Sequence, residues 1–369
     1  MQNQPSENPA ESSRENPVEL PRENAAEQNP FVLSAERQAR LSETEGGPST
    51  APGDEDRPTR PVRRRRVKLP VILFVITCLS TFFAGATNWV PFEVMDQCVL
   101  RGRGPDGSWG LAGFSLMPMR RAILLNWQDG LIYSACLLAI LFTHEMGHFI
   151  ATLRYRIPAS LPFFLPLPIS PIGTLGAVIG MDGMKADRKE VFDIGIAGPL
   201  AGLVVAVPLM WIGIQRLDLT PVAGGMFAVD MPWAGHLLLG YLRPDWQPGS
   251  DLLNTQLNPY FMAAWVGLLV TGLNMLPVSQ LDGGHIVYAI FRKRAHWIAR
   301  SFMFVAIAYM IVAWQWNLIV MITLVMLIGT DHPPTRNDNA RLGWFRICLG
   351  LVSLLIPLFC LAPRLLIPQ

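Results

Sequence analysis

Charged side chains are scarce in this chain. Asp, Glu, Lys and Arg make up 16% of 369 residues, against 51% apolar types, a balance on the membrane side of the ordinary globular range. Cysteine is sparse too: Cys78, Cys98, Cys136, Cys348 and Cys360 contain no C-x-x-C pair, and four of them sit in apolar runs. That pattern excludes a disulfide framework and a thiolate metal site. No apolar stretch follows Met1, so no secretory signal is expected. No internal repeat is visible, which disfavours a transporter built from duplicated halves. The net charge of +2 gives no sign of a nucleic-acid partner.

What charge there is falls unevenly. Residues 1–56 are rich in Glu, Asn, Pro, Ser and Gln and poor in aromatics, the composition of a disordered tail. Residues 57–68 then carry Arg57, Arg60, Arg63, Arg64, Arg65, Arg66 and Lys68 directly before an apolar run. A basic juxtamembrane segment fits that place, touching anionic lipid and holding its end of the span in the cytoplasm.

The rest, 69–362, reads as an all-α polytopic membrane domain of six to seven spans with a short β or re-entrant segment, followed by a short tail at 363–369. Spans are expected at about 69–90, 130–153, 191–214, 259–276 and 342–362. Residues 297–330 form two short spans or one long helix. Residues 91–128 read as a mixed loop and 215–257 as a polar loop too short for a PDZ-sized domain. The proline-dense 157–168 cannot be helical, and 173–180 looks like a strand pair or re-entrant loop. With 57–68 inside, the basic residues of 154–156, 185–189, 292–300 and 336–341 also fall inside. Arg101, Arg103, Arg120 and Arg121 oppose that threading. The expectation is a multi-pass protein of the cell (inner) membrane, N-terminus cytoplasmic.

His144-Glu145-Met146-Gly147-His148 lies inside one apolar run. Ionisable residues there are expensive and mark a site by default. HExxH puts two imidazoles one helical turn apart on one face, where both can hold one zinc ion, and sets a carboxylate beside them as general base. Zinc then needs a third protein ligand and a water. Asp282 sits at a helix boundary before two glycines and is the candidate; its alternative role is capping the following helix. His285, three residues on, could bind the metal or support a ligand. Gly195, Gly198 and Gly202 read as a close helix-packing stripe.

Two motifs carry a family resemblance. HExxH at 144–148 and Asn274-x-x-Pro277-x-x-x-Leu281-Asp282-Gly283 resemble the signatures of the site-2 protease family of intramembrane metalloproteases, peptidase family M50. The glycines at 195–202 look like that family's third element. The segment 157–180 is most similar to the branch with plastid and cyanobacterial members, without a PDZ domain. The resemblance implies one zinc ion per chain held by His144, His148 and Asp282, with Glu145 as catalytic base. It implies a metalloendopeptidase acting on transmembrane protein substrates within the lipid bilayer, in regulated proteolysis. Asn274 could donate to the substrate carbonyl or cap its helix. Gly173, Thr174, Leu175 and Gly176 could offer an edge for an extended substrate. A lipid-directed zinc hydrolase and a non-catalytic scaffold are the competing classes.

Overall fold

The computed structural model describes residues 67–368 apart from 104–108, 182–184, 221–223, 247–251, 279, 313–318, 320–321, 324–334 and 363–365. The expected tail at 1–56 and nearly all of the basic segment lie outside the described residues, as does most of 313–334.

The first helix, α1 (Lys68–Ala86), is the inverse of a soluble amphipathic helix. Val71, Ile72, Val75, Ile76 and Leu79 point outward, while Thr77, Ser80, Thr81, Ala84 and Gly85 are buried. Small and hydroxyl side chains on the protein-facing side let helices approach and bond where lipid supplies no partner. The neighbour is α3. A Cβ on Gly85 would lie 2.9 Å from the Gly130 Cα, so the two helices cross almost backbone to backbone.

Residues 91–128 are not an open loop. A short α2 (Pro91–Gln97) leads into an antiparallel hairpin, β1 (Val99–Arg103) with β2 (Trp109–Phe114), and α3 already starts at Met117. α3 (Met117–Arg154) bends at Asn126 (φ −119°, ψ 23°), whose amide donates to the Ala86 carbonyl at the end of α1. Next come β3 (Phe163–Leu167) and β4 (Gly173–Val178), paired antiparallel with an irregularity between Phe164 and Pro166. Proline in a strand belongs at such a break. The turn of this hairpin is held by side chains of α1 and α3: Ser80 donates to the Gly173 carbonyl and Tyr133 to that of Ile172.

α4 (Arg188–Gln215) opens with a capping box in which Asp187 accepts from Lys189 and Glu190 N–H groups and Glu190 accepts from Asp187 N–H. The described residues of 215–257 include β5 (Phe227–Val229), α5 (Trp233–Leu242) and β6 (Leu252–Leu253). β5 is flanked by β6 on one side and by β7 (Leu366–Pro368) on the other, so the chain end closes this sheet.

α6 (Pro259–Asn274) is the apolar helix expected at 259–276. Twelve of its sixteen residues are buried. It is about 24 Å long, short of a 30 Å hydrocarbon core. A helix apolar on every side is enclosed by protein or by lipid, and composition does not say which. Asn258 caps it through the Phe261 N–H and donates to the Gly213 carbonyl, tying its start to the end of α4.

α7 (Asp282–Phe291) and α8 (Ala295–Val312) are separated by a turn at Arg292 with φ 52°. The closing helices α9 (Trp344–Ser353) and α10 (Ile356–Cys360) are short. The described fold is mostly helical with minor sheets, and four runs are long and apolar enough to cross a membrane: Lys68–Ala86, Met117–Arg154, Arg188–Gln215 and Asp282–Val312.

Candidate metal centre

α3 carries His144 and His148 on the face that packs against α4. α7 brings Asp282 to the same point from 134 residues beyond His148. The three potential ligand atoms form a nearly equilateral triangle. His144 Nε2 is 3.2 Å from His148 Nε2 and 3.2 Å from Asp282 Oδ2, and His148 Nε2 is 3.3 Å from the same oxygen. Ligands bonded at 2.0–2.1 Å around a tetrahedral ion stand about 3.3 Å apart, so this donor set fits three corners of such a site. Among the described residues it is the one group of His, Cys, Asp and Glu that could hold a metal ion.

The support is built into α4. His148 Nδ1 lies 2.8 Å from the Ile194 carbonyl. A carbonyl only accepts, so Nδ1 carries the proton and Nε2 keeps its lone pair for the metal. The glycine stripe has a more specific job than helix packing. A Cβ on Gly198 would overlap the His148 ring, and one on Gly202 would meet His144 Nδ1 at 3.2 Å. Pro199 withholds the N–H that the Gly195 carbonyl would otherwise receive.

Glu145 is 5% exposed and, with both histidines and Asp282, lines a cavity of about 360 Å³. Thr152, Asn274, Gln280 and His285 complete its polar wall, and residues 177–181 form an apolar side. Asn274, the last residue of α6, has its Nδ2 3.4 Å from His144 Nε2. His285 reaches the cavity but stands outside the three-ligand group.

The four residues proposed as a substrate edge are not at the cavity. Gly173 packs on Ser80 and Thr81 of α1. Thr174 is buried and donates to the Leu165 carbonyl, Leu175 is exposed, and Gly176 lies near Val270. The strand reaches the site one turn of the pleat later, at Ala177 and Val178.

Two charged groups brace this end of α4, and the sequence reading missed both. Arg346 of α9 pairs with Asp193 through two bonds of 2.8 Å, and Tyr155 donates to the same carboxylate. Arg188, in sequence one of the basic residues of 185–189 expected on the cytoplasmic side, is buried and bonds to main-chain oxygens of α7. Neither belongs to a motif; a basic residue opening a helix after an acidic cap gives no hint of a distant partner.

Residues 132–315 match the profile of peptidase family M50, a stretch that holds all three potential ligands and Glu145. The chain belongs to peptidase family M50. Among similar M50 proteins are two named "Probable zinc metalloprotease EGY1, chloroplastic". The one from Oryza sativa subsp. japonica is 32% identical over 235 residues, 61% of this chain and 39% of the relative. The one from Arabidopsis thaliana is 30% identical over 233 residues, 61% of this chain and 41% of the relative. An EGY2 protein of the same name type from Arabidopsis thaliana is 31% identical over 173 residues, 45% of this chain and 30% of the relative. The chain thus spans about two fifths of the length of the EGY1 relatives. No solved structure matches it.

Proposed function

We propose that the chain is a zinc-dependent intramembrane endopeptidase that cleaves transmembrane protein substrates, with residues 69–362 as its catalytic domain. The observation that carries this reading is the 3.2, 3.2 and 3.3 Å triangle of His144, His148 and Asp282 with Glu145 beside it in a cavity. Zinc bound there supplies Lewis-acid polarisation of a carbonyl and an acidified water.

The chain's own residues do the rest. Glu145 takes the proton from the attacking water and delivers it to the leaving amine. Asn274 donates a hydrogen bond to the substrate carbonyl oxygen, steadying the charge that grows there. Residues 177–181 contact the extended substrate on the apolar wall. A peptide bond inside a helix is shielded by its own hydrogen-bond ladder, so the substrate unwinds before it reaches Glu145. The site end of α3 and α4 faces the cytoplasm of a cell membrane, consistent with the basic residues near it, and regulated proteolysis is the setting this chemistry suits.

The test compares membrane proteomes of cells carrying wild-type protein and Glu145→Gln. Single-span proteins accumulate uncleaved in the variant, while its zinc content stays at one ion per chain. Unchanged fragment patterns would defeat the proteolytic reading; altered lipids with intact proteins would favour a lipid-directed hydrolase.

A further inference from the structure

Arg188 begins α4, yet it is only 7% exposed. Its guanidinium donates to three main-chain oxygens outside its own helix. Nε reaches Ala289, Nη2 reaches Ile290 at 3.3 Å, and Nη1 reaches Ala340 at 3.2 Å. Ala289 and Ile290 lie in the last turn of α7. The final carbonyls of a helix lack intrahelical donors and form the negative end of its dipole, so a buried cation there satisfies both needs. Arg188 is in effect the C-terminal cap of another helix.

That other helix carries Asp282 as its first residue. α7 is ten residues long, a rod of about 15 Å with a metal ligand at one end and Arg188 at the other. Its ligand end is seated by backbone contacts. A Cβ on Gly283 would run into the Met275 main chain, and one on Gly195 would meet the Asp282 carbonyl oxygen at 3.3 Å. Such contacts set how near α7 comes to α4 and α6. They leave it able to tilt or turn about its axis, which would swing the Asp282 carboxylate. The two directed bonds to Ala289 and Ile290 at the far end remove that freedom, and the third ties the guanidinium to Ala340 outside α7. Six residues after Arg188, the same helix offers the Ile194 carbonyl that orients His148. One stretch of α4, residues 188–194, therefore holds one ligand directly and the carrier of another.

We propose that Arg188 is a positioning residue of the metal centre: by capping the far end of α7 it fixes Asp282 against the His144–His148 pair. The inference rests on the metal reading of the site given above. Loss of a supporting partner weakens metal binding roughly tenfold to hundredfold and does not abolish it.

The experiment is a Co²⁺ titration of the full chain in detergent, against a competing chelator, with the visible absorption of the bound ion recorded. Arg188→Ala and Arg188→Lys are compared with Arg243→Ala. Arg243 makes a suitable control because it donates to the Ile214 and Leu217 carbonyls at the opposite end of the same helix. Arg188→Ala should bind Co²⁺ roughly tenfold to hundredfold more weakly, with an altered spectrum. Arg188→Lys, keeping the charge but not the fork, should fall between, and Arg243→Ala should match wild type even if it melts earlier. Wild-type affinity and spectrum in Arg188→Ala overturn the proposal, as does equal weakening in Arg243→Ala. If Arg188→Ala yields no folded protein, Arg188→Lys decides, and wild-type affinity there overturns it. A distinct result, no Co²⁺ uptake by wild type or full uptake by His144→Ala, removes the metal reading itself and the role of Arg188 with it.

Discussion

Gly198 of α4 lies so close to the His148 imidazole that a single methyl group in place of its hydrogen would overlap Nε2, one of the three potential ligand atoms. Gly198→Ala is therefore expected to displace the ring and strip the metal while leaving most of the fold intact. Overpacking of this kind destabilises by about 1–3 kcal/mol. Metal content by atomic emission and the melting temperature, measured on the same sample, check the expectation. Gly240→Ala, where nothing lies within 4 Å of the added carbon, should keep full metal. Stoichiometric zinc in Gly198→Ala would show that the ring has another place to sit.

Tyr133 is fully buried, and its hydroxyl donates to the Ile172 carbonyl at 2.9 Å, pinning the hairpin turn to α3. Tyr133→Phe leaves that carbonyl without its donor inside the protein, a loss of about 1–3 kcal/mol. Thermal unfolding should shift down. Amide hydrogen exchange should rise at Gly173 and Thr174 while α6 stays protected. Unchanged exchange in the hairpin would mean that Ser80 alone suffices to hold it.

Asp193 and Arg346 join α4 to α9 through two parallel bonds of 2.8 Å, with Tyr155 on the same carboxylate. The pair is partly exposed, so its strength lies nearer a surface ion pair than a buried one. A double-mutant cycle of Asp193→Ala and Arg346→Ala should return a coupling of about 0.5–1 kcal/mol in unfolding free energy. Additive effects would show that the two groups anchor their helices independently.

The grouping of His144, His148 and Asp282 was legible in the sequence because each part obeys a local rule. An i, i+4 spacing places His144 and His148 on one face. A carboxylate before two glycines at a helix boundary lets another backbone come close, as Gly283 does against Met275. What stayed hidden depends on neighbours that spacing does not encode. Hydropathy cannot separate lipid from protein as the surroundings of α6. Alternation along 173–180 announces a strand but not which part of it meets the cavity, which 177–180 line and 173–176 do not. The roles of Gly198 and Gly202 require knowing that imidazoles lie opposite them. The partners of Arg188 are backbone oxygens about a hundred residues away, which no side-chain pattern could reveal.

The acceptor that sets the protonation of His148 is the carbonyl of Ile194, an atom every amino acid possesses. No substitution at 194 can delete it. Only a change in the path of the backbone can, which means the helix contour, through its braced first turns, governs the tautomer of His148. Position 194 is thereby released to answer to the shape of the cavity it lines, and the side chain there can change without disturbing how the neighbouring imidazole presents its lone pair.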